Sequence, residues 1–176
     1  MTLSRQPAKK YVILLMALAG GALGADPVFP AVPKSLSPWK IGVVHLGHQV
    51  EAPVVVGLRQ GLKDLGYVEG RDVVLEIRAG RGQYSTALEA TRELVKAQVH
   101  IFVSAGTVAT KAVKEAAGNL PIVFTQVGEP VAAGFVKSLP RPGGNMTGFS
   151  HLLPETTGKR LELLKEIVPR CRTVLV

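Results

Sequence analysis

From residue 39 onward the chain alternates between short apolar runs and stretches with helical period, and this alternation restricts its fold most. Residues 40–46 (KIGVVHL), 99–104 (VHIFVS) and 121–125 (PIVFT) are apolar almost throughout, the pattern of strands buried on both faces. Val73, Leu75 and Ile77 alternate with Glu76 and Arg78, which predicts a more exposed strand. Residues 145–150 read as an edge-like fifth strand and 172–176 (RTVLV) as the start of a sixth. Between them lie helical patterns. Val54, Val55, Leu58, Leu62 and Leu65 follow Pro53, with Gly66 where a C-terminal cap belongs. Ser85 is placed to cap a second helix with Leu88, Thr91, Leu94 and Val95 inward. Thr107 is placed to cap a third, with Ala109, Ala112, Val113 and Ala116 inward and Gly118 closing it. A short helix is expected around 131–137, then a loop over 139–144 (LPRPGG). Last comes an amphipathic helix over 155–168 with Leu161, Leu164, Ile167 and Val168 on one side. Strands alternating with helices predict an α/β fold, a doubly wound, Rossmann-like parallel sheet.

The N-terminus has a different character. Arg5, Lys9 and Lys10 precede an apolar run over 11–23, and small residues follow at Ala22, Gly24 and Ala25. That order is the pattern of a cleavable secretory signal over 1–25, and the run is short for a membrane span. No Cys closes the apolar run, so a lipid-anchored form is not expected. Residues 26–38 carry Pro27, Pro30, Pro33 and Pro38 and read as an extended linker. Cys171 is the single cysteine, so no internal disulfide can form. The chain has 21 basic and 13 acidic side chains, and three of the basic ones fall in the signal. The remaining modest excess, with no basic block interleaved with aromatics, argues against a nucleic-acid partner.

In a doubly wound sheet, ligands bind beyond the carboxyl ends of the strands, where strand order reverses. Three such ends carry polar or glycine-rich sequence: His45 to His48, Ser104-Ala105-Gly106-Thr107, and Gln126 to Pro130. At the second, a helix N-terminus with free N–H groups, a glycine and two hydroxyls suits a carboxylate. The plainer alternative is a helix cap and a tight turn. His45 and His48 have no third ligand nearby, so a metal is not expected. Glu129 is placed either to meet an amine or to sit in solvent, and Tyr84 either approaches the cleft or packs in a turn. Phosphate-loop, nucleophile-elbow and dinucleotide patterns are all missing from the sequence, so no cofactor and no catalysis are expected.

Five ordered stretches add a resemblance. Gly61 to Gly70 (GLKDLGYVEG) resembles the GL-x-x-LGY-x-EG segment of a bacterial ABC-transporter substrate-binding protein family, whose better-understood relatives handle tryptophan or tyrosine. Gly106-Thr107, the run PIVF leading into Val127-Gly128-Glu129-Pro130, LPRPGGNMTG over 139–148 and GKRLELLKE over 158–166 agree in order. The resemblance implies a type I periplasmic-binding-protein fold of two lobes, closing on a ligand that is handed to a membrane permease. It also implies a protein about twice this length. Residues 39–150 would then be the N-terminal ligand-binding lobe, and 151–176 the first helix and strand of an incomplete second lobe. On that basis the expected ligand-binding residues are Ser104, Gly106, Thr107, His45, Gln126, Gly128 and Glu129. The family commonly has Asp where this chain has Glu129. The expected partner is an ABC permease, the compartment the periplasm and the state monomeric. A sensing domain or an enzyme on the same fold, or a fragment without function of its own, remain the alternatives.

Overall fold

The computed structural model describes residues 38–151 and 153–173; the expected leader and nearly all of the linker lie outside them. The described chain forms β1 (Trp39–His45), α1 (Pro53–Asp64), β2 (Val73–Ala79), α2 (Tyr84–Lys96), β3 (Ile101–Ala105), α3 (Thr107–Ala116), β4 (Ile122–Val127), β5 (Met146–Ser150) and α4 (Leu153–Ile167). All five strands are parallel, in the order β2-β1-β3-β4-β5. The doubly wound α/β sheet expected from the alternation is the architecture observed.

Strand alternation distributes the side chains to two cores. Ile41 and Val43 of β1, Ile101 and Val103 of β3 and Val123 of β4 pack under α1 with Val55, Leu58 and Leu62. Val44, Phe102, Ile122 and Phe124 point the other way, against Ala87 and Leu94 of α2 and Ala109, Ala112 and Val113 of α3. Val43, Val44, Phe102, Leu94 and Ile122 are fully buried, each such side chain contributing roughly 1.5–3 kcal/mol of transfer free energy.

Helix α1 ends as its sequence predicts. Gly66 (φ +80°) donates to the Lys63 carbonyl and Tyr67 to that of Leu62, while Tyr67 and Leu62 share one apolar cluster. This is the paired hydrogen-bond pattern of a left-handed helix stop, and it accounts for the Leu-Gly-Tyr order. Gly148 has a separate reason. A Cβ there would fall 1.9 Å from the Phe124 carbonyl oxygen, so β4 and β5 approach closely only with glycine at that position.

Several expectations are corrected. Ser85 lies inside α2; Gln83 is the N-cap and no side chain caps the helix. The buried face of α2 is Ala87, Ala90, Thr91 and Leu94, with Leu88 and Val95 only partly buried. Gly106, not Thr107, is the N-cap of α3, and Ala117 rather than Ala116 is the buried residue near its end. The segment around 131–137 is a series of turns, not a helix: Gly134 donates to Val131, and both Phe135 and Val136 donate to Pro130. Gly134 inside the run has φ +68°, which a continued right-handed helix does not accommodate. The amphipathic helix runs over Leu153–Ile167, but Leu161, Leu163 and Ile167 stand exposed, so its apolar side is not packed within the described residues. Residues 172 and 173 are not in a strand, and the rest of the expected sixth strand lies outside the described residues.

Candidate functional site

Strand order reverses between β1 and β3: the chain goes from β1 to β2 on one side, then returns past β1 to add β3, β4 and β5 on the other. A cleft opens beyond the carboxyl ends of strands at that reversal, with a volume of about 390 Å³. This is the place where a doubly wound sheet offers a ligand site, and the size suits a small molecule. One wall is apolar, from Leu46, Ala52, Pro53, Val54, Ala105 and Val108. The polar groups come from Gly106 and Thr107 at the start of α3 and from Gln126 at the end of β4.

The start of α3 is built for an acceptor. Gly106 is held at φ +89°, ψ 153°, a conformation that disfavours any side chain, and its N–H donates to Thr125 across β3 and β4. The first intrahelical bond runs from the Thr110 N–H to the Gly106 carbonyl. The N–H groups of Thr107, Val108 and Ala109 therefore have no intrahelical acceptor. No side chain caps them, so the Thr107 hydroxyl is uncommitted among the described residues. Together they present donors and the positive end of the helix dipole to the cleft.

Strand alternation sends Ser104 elsewhere. It shares a face with Phe102, beneath α3, where it is fully buried. The Thr110 hydroxyl donates to the Gly106 carbonyl (2.8 Å), so the Ser104 hydroxyl is the donor in its 2.9 Å bond to Thr110 Oγ1. Ser104 does not line the cleft; it anchors the helix that does.

His45 lines the cleft but uses both ring nitrogens locally. Nδ1 accepts the Gly47 N–H (3.0 Å), which leaves the proton on Nε2, directed at the Val50 carbonyl (3.3 Å). The imidazole is 3% exposed, so it shapes the loop after β1 and offers a ligand little polar surface. That loop is held from two other sides. Gly80, Arg81 and Gly82 donate to the carbonyls of His45, Gly47 and Leu46. Arg59 bridges Glu51 and Glu69 (2.9 Å to Glu69), and these two hydrogen-bonded carboxylates raise its pKa.

Gln126 is exposed, in the cleft, and has a left-handed backbone (φ +57°). Gly128 and Glu129 lie past the cleft: the Ser150 hydroxyl donates to the Gly128 carbonyl (2.9 Å), and Glu129 is exposed. Tyr84 is also outside it, hydrogen-bonded to Glu115 of α3. Among the described residues there is no group of three side chains able to hold a metal. Four of the seven expected residues thus meet in one cleft: His45, Gly106, Thr107 and Gln126. The apolar wall from α1, Ala52 to Val54, was not expected. Its available signal was Pro53 opening the first helix after β1, which puts that helix N-terminus at the same edge of the sheet as α3.

Comparisons with known proteins agree with the fold. Residues 40–176 match the family described as ABC transporter substrate binding protein. A tyrosine-binding protein from Clostridioides difficile is 30% identical over 118 residues, which cover 67% of this chain and 34% of that one. Among solved structures, a conserved domain protein from Vibrio cholerae superposes with a TM-score of 0.66 at 35% identity, covering 76% of this chain and 45% of that one. The ABC domain from Streptococcus pneumonia in complex with L-Trp gives 0.58 at 30% identity, covering 65% and 39%. The chain thus spans about a third of the length of the curated relative and less than half of each of these structures. A family match over residues 40–176, more than half of the chain, places this protein in the ABC transporter substrate-binding protein family.

Proposed function

We propose that this protein binds an amino-acid-like molecule with an apolar or aromatic side chain and delivers it, chemically unchanged, to the permease of an ABC importer. The observation that carries this reading is the pairing, in one cleft, of an apolar wall with the open N-terminus of α3. A free amino acid needs both: donors for its carboxylate and apolar surface for its side chain. The tyrosine-binding relative and the tryptophan-bound structure point to the same ligand class.

In this reading the Thr107 hydroxyl and the N–H groups of Thr107, Val108 and Ala109 take the carboxylate. Gly106 keeps the backbone bare enough for close approach. Leu46, Pro53, Val54 and Val108 receive the side chain, and His45 holds the loop that carries part of that wall. Residues 39–150 act as one ligand-binding lobe, and 151–176 begin a second that closes over the cleft. The N-terminal leader directs export, so the binding step takes place in the periplasm and the protein acts as a monomer.

The test is a thermal-shift and titration series with L-tryptophan and L-tyrosine on the parent chain and Thr107→Ala. Ligand at a hundredfold excess over Kd stabilises the native state by about 2.7 kcal/mol, which appears as a raised Tm. Removal of a hydroxyl that bonds a charged carboxylate costs about 1.5–3 kcal/mol, at least a tenfold loss of affinity. Unchanged affinity in Thr107→Ala would remove the carboxylate from this helix end.

A further inference from the structure

We infer that Gln126 is the specificity-determining contact of the cleft, turned into it by a β-bulge at the cost of a left-handed backbone at that residue. This rests on the reading of the cleft as a ligand site. Along β4, Ile122 and Phe124 face the core beneath α3, so strict alternation would turn Gln126 into the same core. It does not, because the register with β5 breaks between Phe124 and Val127. The extra residue lets Val127, fully buried, take the core position, and Gln126 is turned out into the cleft. The backbone at Gln126 is left-handed (φ +57°), a conformation that a glycine adopts without penalty and a glutamine does not.

The two other non-glycine residues with positive φ have local reasons for it. Gln98 ends α2, with its N–H on the Val95 carbonyl and that of Val99 on Leu94. Arg81 sits in the turn between β2 and α2 and donates to the Gly47 carbonyl. Gln126 forms no such cap or turn bond, and among the described residues its carboxamide has no partner. A strained residue whose donor and acceptor groups are both open to a cleft is the arrangement expected where strain is retained for ligand contact. The carboxamide is one strand over from the N-terminus of α3, so it reads a polar group of the ligand other than the one held there.

Two substitutions separate backbone from side chain. Gln126→Gly removes both the strain and the carboxamide; Gln126→Ala removes the carboxamide and keeps the strain. NMR titration with L-tryptophan and L-tyrosine gives Kd, and thermal unfolding without ligand gives Tm. Both variants are expected to bind at least tenfold more weakly than the parent. Only Gln126→Gly is expected to melt higher, by about 3 °C. If the parent binds and either variant binds as well, the inference is overturned and the amino-acid reading survives. A fall in Tm for Gln126→Gly would likewise overturn it, because the residue would then be structural. If the parent binds neither amino acid, both fall together.

Discussion

Ser104 was expected to touch ligand, and the structure makes it the anchor of α3 instead, which gives a sharp prediction. Its hydroxyl, fully buried, donates to Thr110 Oγ1 at 2.9 Å, and Thr110 donates onward to the Gly106 carbonyl at 2.8 Å. Thr110→Val keeps the shape but leaves the Ser104 hydroxyl buried with no acceptor. Stranding a buried hydroxyl costs about 1–3 kcal/mol. Ser104→Ala removes a donor and strands nothing, because Thr110 keeps its bond to Gly106, so about 1 kcal/mol is expected. In the double variant both partners are gone, no orphan remains, and stability should be no lower than in Thr110→Val alone. Urea denaturation of all four proteins closes the double-mutant cycle, and the two single effects should exceed the double effect by 0.5 kcal/mol or more, a rough bound for bonded neighbours. Ser104→Ala should bind ligand like the parent. Strict additivity, or lost affinity in Ser104→Ala without lost stability, would refute the anchoring role.

Other outcomes follow from single contacts. Gln98→Gly relieves a left-handed residue at the end of α2 and should stabilise by about 1 kcal/mol, seen as a higher midpoint in urea. Gly148→Ala puts a methyl 1.9 Å from the Phe124 carbonyl oxygen; a loss of about 3 kcal/mol is expected, with faster hydrogen exchange in β5. Gly47→Ala places a methyl 2.9 Å from His45 Nδ1, so the imidazole must shift and the loop loosen. Ligand affinity should fall while β1 and β3 stay protected from exchange.

Much of the fold was legible because it rests on local pattern. The largely apolar runs that became β1, β3 and β4 needed no tertiary information to be read as buried parallel strands. The Leu65-Gly66-Tyr67 stop is equally local. The errors came where a neighbour decides. Whether Ser104 or Thr107 meets the cleft depends on which strand face lies under α3, and only Thr110, six residues further on, reveals it. Thr107 looked like a cap because hydroxyl residues usually are, but Gly106 adopts the cap position and leaves that hydroxyl uncommitted. The bulge at Gln126 has no sequence signature, because it is a register fact between β4 and β5. The contribution of α1 to the cleft appears only once sheet order is known.

The central claim is that an amino acid seats its carboxylate on α3 at the β1/β3 reversal. A residue-resolved NMR titration of the chain with L-tryptophan, taken to saturation, tests it most directly. The account predicts saturable shifts centred on the amides of Gly106, Thr107 and Val108, with Gly47 and Gln126 following at the same Kd. No shifts, or shifts centred on another face of the molecule, would contradict it.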